Sequence, residues 1–210
     1  MRSVAGLTRR EVTVGALGCA CLLGLGAFGA SGALATPSLR PPGAQDERRF
    51  TSLCIHCEKC REICPHGALR TLGVEHGAAA MRTPTLDFHR GWCDACEEAN
   101  DGHPLCAEVC PTRAIEIPVG VQAKDLVMGL AVINEDWCLA YQGRNCKVCI
   151  EACPYDALVY DESRRPVVDL DACNGCGLCE HVCISLTSAS VAPEATDRAI
   201  VVRTEGEVRR

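Results

Sequence analysis

Aromatic residues are scarce in this sequence of 210 residues, where two Trp, three Tyr and three Phe make up 4% of the chain. Large rings usually dominate core burial, so side-chain packing alone is a weak basis for this fold. A basic balance is also missing, because the formal net charge is -6. A nucleic-acid-binding protein would need a basic face. An acidic surface is instead compatible with docking to a basic patch on a partner protein.

Motifs for common enzyme chemistry are absent as well. The sequence has no glycine-rich phosphate loop and no nucleophile motif around Ser or Cys. It also lacks the Cys-x3-Cys-x2-Cys run with which radical enzymes leave an iron coordination site open. We therefore predict a protein that is not an enzyme and has no catalytic residues.

Cysteine, by contrast, occurs eighteen times, and sixteen of these residues fall into four groups. The first group has the spacing C-x2-C-x2-C-x3-C-P of the bacterial ferredoxin run. The second and third groups lengthen one step, and the fourth lacks the final Pro. We predict that they ligate the iron of four [4Fe–4S] clusters, with the ligands Cys54, Cys57, Cys60, Cys64, Cys93, Cys96, Cys106, Cys110, Cys138, Cys146, Cys149, Cys153, Cys173, Cys176, Cys179 and Cys183.

The groups must act in pairs. In a ferredoxin run the fourth cysteine ligates the other cluster of a two-cluster module. We predict that this cysteine begins a short helix, and that residues 65–69, 111–115 and 154–158 form helical turns. In each turn an Ala would face the cluster and a Leu or Ile would enter the core. Gly175 and Gly177 would allow close approach of the backbone to a cluster.

Short β-rich segments separate the groups. Residues 130–134, 157–160 and 166–170 are predicted strands, and residues 161–165 are the turn between the last two. Together with the cysteine groups they predict an α+β fold of two ferredoxin-like modules, that is, a tandem 2[4Fe–4S] protein.

The N-terminus predicts export. Arg9 and Arg10 precede an apolar stretch at residues 14–35, which ends in the A-x-A pattern of residues 33–35. These are features of a twin-arginine signal peptide. The stretch is also close to the ~20 residues that span a bilayer, so an uncleaved membrane anchor is the alternative.

The predicted organisation has three parts. Residues 1–35 are the signal peptide, residues 36–50 are a Pro-rich linker that forms an extended spacer, and residues 51–210 are the four-cluster domain. Cys19 and Cys21 lie inside the apolar stretch and are interpreted as small hydrophobic residues.

Two other roles for the cysteines are open from the sequence. Eight disulfides would suit an oxidising compartment, and Cys-x2-Cys pairs also build structural zinc sites. Either would make the protein a structural binding module. The repeated x2, x2, x3 steps and the Pro after three of the four groups favour clusters, because a disulfide scaffold needs neither.

Other candidates lie close to the cysteines. His56 and His66 would tune a reduction potential or face solvent. Trp92 and Trp137 each precede the first cysteine of a group and are predicted to pack over a cluster. The acidic residues 97–101 form either a docking surface or a solvated insertion.

These features resemble the ferredoxin-type NapG/MauM family over nearly the whole chain. The resemblance rests on the twin-arginine start, the linker 39–44, the first cysteine group, residues 128–132, the Gln142-Gly143 pair and the missing Pro of the fourth group. The nine-residue step between Cys96 and Cys106 departs from the family pattern.

The resemblance implies a relation to the iron–sulfur beta subunits of molybdenum reductases, in which groups one and four pair and groups two and three pair. Carried over, the four ligand sets would be Cys54, Cys57, Cys60 with Cys183; Cys173, Cys176, Cys179 with Cys64; Cys93, Cys96, Cys106 with Cys153; and Cys138, Cys146, Cys149 with Cys110. Pairing of groups that are neighbours in sequence would use the same ligands and suits the short gap between the last two groups.

The resemblance further implies an electron-transfer subunit of a quinol dehydrogenase system. A membrane quinol-oxidising, ferredoxin-like partner would donate electrons, and a periplasmic nitrate reductase system or cytochrome would accept them. A tightly bound subunit of another molybdenum oxidoreductase and a methylamine-utilisation ferredoxin are the alternatives. The protein would be periplasmic, or anchored on the periplasmic face of the membrane.

Overall fold

The chain folds into short helices and short strands. A short helix lies within each cysteine group. The computed structural model describes residues 38–77, 79–186 and 195–209. Within these ranges the helices are α1 (Glu47–Leu53), α2 (Lys59–Ile63), α3 (Glu97–Asn100), α4 (Leu105–Glu108), α5 (Val148–Ala152), α6 (Leu178–His181) and α7 (Glu205–Val208). The strands are β1 (Leu69–Thr71), β2 (Pro84–Leu86), β3 (Leu130–Ile133), β4 (Leu158–Tyr160), β5 (Pro166–Val168) and β6 (Ile200–Arg203).

The predicted signal peptide, with Cys19 and Cys21, lies outside the described residues. Among those that are described, no helix has the length and apolar character needed to cross a membrane. The segment Gly73–Met81 belongs to a unit separate from the main one, which comprises Pro37–Leu72 and Arg82–Arg210. It carries a 3-10 helix at Val74–His76.

The strands form three antiparallel pairs, β1 with β2, β4 with β5, and β3 with β6. The predicted strands at 130–134, 157–160 and 166–170 correspond to β3, β4 and β5, each shorter by one or two residues. The sequence did not predict β1, β2 or β6. Strand β2 begins with a proline, which usually argues against a strand, and the pairing of β3 with β6 joins residues about 70 positions apart, where no local pattern exists.

The same plan occurs twice. A cysteine group, a two-stranded hairpin and a second cysteine group follow one another, with β1–β2 between groups one and two and β4–β5 between groups three and four. We call residues 38–72 and 82–117 the first module, and residues 128–186 and 195–209 the second module. The mixed elements confirm an α+β fold.

The two modules close differently. In the second module β3, before group three, pairs with β6, after group four. In the first module residues 39–43 take that place, since the N–H of Leu86 donates to the carbonyl of Leu39 at 2.9 Å and the N–H of Glu116 to that of Gly43 at 3.0 Å. Gly43 has φ +86°, and a Cβ there would lie 2.6 Å from the Glu116 carbonyl oxygen.

This N-terminal segment is therefore part of the folded body. Pro41 and Pro42 are fully buried, and Arg40 is only 3% exposed. The Arg40 guanidinium binds both carboxylate oxygens of Glu47 (2.6 and 2.7 Å) and the carbonyl of Pro84 (2.6 Å). It also lies 4.7 Å from the ring centroid of Phe50. The prediction of an extended spacer at 36–50 is wrong for residues 38–50, because a buried cation with these partners fixes the segment.

Candidate metal centres

The third cysteine of every group has the same local setting. Cys60, Cys106, Cys149 and Cys179 are each the second residue of a short helix, α2, α4, α5 and α6 respectively. The fourth cysteine follows the end of that helix. The prediction that it begins a helix is therefore wrong. The Pro that comes next in three groups stands beyond the helix, where it is common because it cannot continue one.

The residue before the second cysteine is left-handed in all four groups. It is His56 (φ 57°), Ala95 (φ 56°), Asn145 (φ 50°) and Gly175 (φ 75°). Left-handed residues among right-handed ones turn successive N–H groups toward one side and create a concavity for an anion. The N–H groups of His56 and Ala95 are in fact hydrogen-bonded to the sulfurs of Cys54 and Cys93.

The turn after the fourth cysteine has the same character. Its third residue is left-handed at Gly67 (φ 62°), Arg113 (φ 52°) and Asp156 (φ 51°), so these segments are not the predicted helical turns. The burial that we predicted for the following Ala and the Leu or Ile is confirmed in all three. Although burial raises the pKa of the Cys110 thiol, N–H groups of Ile115, Thr112 and Ala114 prevail and lower it.

Four cysteines from two groups line each of three cavities. The first quartet is Cys54, Cys57, Cys60 and Cys110. The third quartet is Cys138, Cys146, Cys149 and Cys183. The fourth quartet is Cys153, Cys173, Cys176 and Cys179.

The remaining four predicted ligands form the second quartet. Cys93 and Cys96 each interact electrostatically with Cys64, and Cys106 interacts with all three. All sixteen predicted residues thus fall into four sets of four. In each set three come from one group and one is the last cysteine of another.

These quartets correct the pairing implied by the family resemblance. Group one exchanges its last cysteine with group two, and group three with group four, whereas pairs one-four and two-three were expected. The physical reason is the antiparallel hairpin between the paired groups. Strands β1 and β2, like β4 and β5, return the chain to the preceding group, so the two groups of a module face each other.

The thiols resist ionisation when they are buried together. Burial raises the pKa of Cys60 and Cys176 to about 11, and that of Cys93 and Cys149 to about 12; nearby thiols add to the effect. Four thiolates in one quartet therefore need a cationic centre, whose binding is coupled to proton release. Cys57 is the exposed member of the first quartet.

The residues fit a cluster better than the alternatives. None of the sixteen described cysteines forms a disulfide. A single zinc ion would need four sulfurs within about 2.3 Å of one point. In the described ranges no three His, Cys, Asp or Glu side chains are grouped closely enough to hold one metal ion.

A hydrogen bond joins the two modules directly between two quartets. The N–H of Cys93 donates to the carbonyl of Cys176 at 2.9 Å. The Trp92 ring lies beside it, 4.2 Å from the His66 ring and 5.1 Å from the His181 ring. The four quartets therefore follow the order first, second, fourth, third. That Trp92 packs over a cluster stays a prediction, and nothing in the sequence marked His181.

The other secondary candidates have simpler surroundings. Trp137 packs against a hydrophobic group of side chains that includes Cys138 and Cys146. Glu97 and Glu98 lie at the start of α3 and are exposed, as a solvated insertion would be. His56, however, lines the cavity of the first quartet.

Comparison with known proteins agrees with this geometry. A family model described as a 4Fe-4S dicluster domain matches residues 53–114 and 143–185. The first range contains groups one and two, and the second contains group four with most of group three. The methylamine utilization ferredoxin-type protein MauM of Paracoccus denitrificans is 34% identical over 85% of this chain and 84% of its own length.

Further relatives are also named as ferredoxin-type proteins. The ferredoxin-type protein NapG of Escherichia coli is 36% identical over 70% of this chain and 66% of its own length. MauM of Methylobacillus flagellatus is 33% identical over 88% of this chain and 79% of its own length. With its cysteine quartets and these likenesses, the chain belongs to the ferredoxin-type NapG/MauM family of 4Fe–4S electron-transfer proteins, which are not themselves enzymes.

Proposed function

We propose that the protein carries electrons through four [4Fe–4S] clusters on the periplasmic side of the membrane. A membrane quinol-oxidising protein would be the donor and a periplasmic reductase system, such as nitrate reductase, the acceptor. The observation that carries the proposal is the series of four cysteine quartets joined at Cys93 and Cys176. When bound, such clusters supply one-electron redox chemistry at potentials from about -700 to +450 mV.

The residues of the chain would divide the work in this scheme. Sixteen thiolates would hold the iron, and the N–H groups of the left-handed His56 and Ala95 donate to the sulfurs of Cys54 and Cys93. Because each quartet uses four cysteines, no iron coordination site is left for substrate. The Cys93–Cys176 hydrogen bond and Trp92 hold the second and fourth quartets together, and the exposed Cys57 makes the first quartet accessible to a partner.

Methylamine utilisation is a second candidate for the acceptor branch. Relatives named for methylamine utilization match up to 88% of this chain, whereas the NapG relatives match 70%. In both branches the relation to the iron–sulfur subunits of molybdenum reductases would be one of architecture. The export signal predicted at residues 1–35, or a retained anchor, would place the protein on the periplasmic face.

Metal analysis of chain purified without oxygen tests the cluster assignment. We expect about sixteen irons and as many sulfides per chain, from four irons in each of four clusters. Cys57→Ser and Cys110→Ser should each lose the same centre, so their electron paramagnetic resonance (EPR) spectra after reduction should match. A match of Cys57→Ser with Cys183→Ser would overturn the quartets, and zinc in place of iron would overturn the function.

Membrane vesicles test the donor. Vesicles that contain the quinol-oxidising partner should reduce the holoprotein and bleach its blue-region absorbance when a quinol is supplied. Vesicles without the partner are the matched control. Equal reduction rates with both preparations would contradict the proposed donor.

A further inference from the structure

The residue before the second cysteine distinguishes the first quartet from the others. At this left-handed position the second, third and fourth quartets have Ala95, Asn145 and Gly175, and the first has His56. Imidazole is the largest of these side chains and has a ring nitrogen able to donate a hydrogen bond. The left-handed conformation at this position is common to the four groups, so His56 is a difference in side-chain chemistry at an equivalent backbone position.

The His56 ring has a buried atom without a partner. His56 lines the cavity that the first quartet encloses. Its Nε2 atom is buried and has no hydrogen-bond partner among the residues that the structure describes. Buried polar atoms in proteins are nearly always hydrogen-bonded, and each exception calls for an explanation. The occupant of the cavity is the partner that this nitrogen can reach.

Three other polar side chains that line the cavities have partners in the protein. At the first quartet, Glu58 binds Arg82 at 2.9 Å and Arg61 at 2.9 Å. At the fourth quartet, Asn174 donates to the carbonyl of Lys124 at 2.8 Å. At the third quartet, Ser185 accepts the N–H of Ala199 at 2.8 Å. His56 thus differs from these residues in both position and bonding.

We propose that His56 donates a hydrogen bond from Nε2 to a sulfur of the iron–sulfur centre in the first quartet. This inference rests on the proposed function, because it needs a cluster in that quartet. The hydrogen bond requires a proton on Nε2 of the imidazole. A hydrogen bond to sulfur is stronger when the centre holds an additional electron, since hydrogen bonds to more negative acceptors are stronger. His56 therefore raises the reduction potential of the first centre relative to the same quartet without it.

The decisive variant is His56→Gly in the holoprotein. Glycine adopts the left-handed conformation without penalty, so the variant removes the donor and does not strain the backbone. We expect the oxidised-to-reduced equilibrium of one centre to shift about tenfold toward the oxidised form, which for one electron is about 59 mV. Potentiometric titration followed by EPR measures the shift, and the centre missing from Cys57→Ser identifies which one it is.

Two further variants separate a hydrogen bond from a structural effect. His56→Gln retains an N–H donor at a similar reach and should recover part of the shift. Ala95→Gly makes the equivalent backbone change in the second quartet without removing a side-chain donor, and it should leave the potentials of the first and second centres unaltered. Protein with histidine labelled with ¹⁵N only in the imidazole ring adds a direct readout, because a hyperfine coupling of the ring ¹⁵N to the reduced first centre should disappear in His56→Gly.

Each outcome decides the inference. An unchanged potential in His56→Gly with wild-type iron content overturns the role of His56 and leaves the proposed function intact. If the wild-type protein contains about twelve irons and Cys57→Ser loses no centre, both the role of His56 and the proposed function are overturned. A shift of the second centre in Ala95→Gly as large as that of the first centre in His56→Gly would also overturn the inference, because it would reflect backbone loosening and not the loss of a donor.

Discussion

The first and second modules follow one plan but differ in how each is closed. A pair of strands, β3 and β6, closes the second module, whereas a proline-rich segment with the buried Arg40 closes the first. Strand pairing distributes the closure over several backbone hydrogen bonds. In the first module much of the closure depends on the Arg40 side chain. The difference teaches that the cluster-binding loops need a fixed frame and that the frame can be built in more than one way.

The largest expected effect lies where the second module tolerates no side chain. Gly177 has φ +79°, and a Cβ there would lie 2.0 Å from Phe88. Its counterpart in the first module is Glu58, with φ 60°, a full side chain at the same left-handed position. We expect Gly177→Ala to destabilise the protein by about 3 kcal/mol through overpacking, measured as a lower melting temperature and loss of iron. Glu58→Ala, the matched control, should change the melting temperature little.

The closure of the first module should be sensitive to one residue. Arg40→Met keeps an apolar side chain but removes the guanidinium over the Phe50 ring and the hydrogen bonds to Glu47 and Pro84. Because hydrogen bonds to charged groups contribute about 1.5–3 kcal/mol, we expect a loss of about 2 kcal/mol of stability. Faster loss of the first centre on mild heating would localise the effect. Arg48→Met, at an exposed position, is the control, and an equal effect there would refute the role of Arg40.

A smaller effect is expected two residues after the last cysteine of each module. Ser185 is 2% exposed, and its hydroxyl lies 3.3 Å from the Cys183 sulfur and accepts the N–H of Ala199. Thr112 has the same position after Cys110, at 3.8 Å, but is only partly buried. Ser185→Ala should cost about 1 kcal/mol, because a buried N–H loses its acceptor. Thr112→Ala should cost less in the same thermal assay, and the reverse order would contradict this reading.

The local features of the site could be predicted from the sequence, but its long-range features could not. Spacing within a group indicated the cysteines that share a quartet, because two- and three-residue steps constrain the backbone directly. Strands β3, β4 and β5 followed from short apolar runs. The exchange of Cys64 and Cys110 between groups one and two depends instead on a hairpin whose β2 begins with Pro84.

The packing of Arg40 could not be predicted from the sequence either. A segment rich in proline has the composition of an extended linker, and composition does not reveal the carboxylate and carbonyls that a cation will find. The unpartnered Nε2 of His56 is likewise visible only when the cavity is known. Local spacing predicts local structure, whereas contacts between distant residues require the fold.

The bond between Gly43 and Glu116 also affects the timing of folding. During synthesis the chain emerges from its N-terminal end, so the segment that borders the predicted export signal is made long before residue 116. This bond can form only when the second cysteine group has been completed. Until then the first module remains open at its N-terminal end.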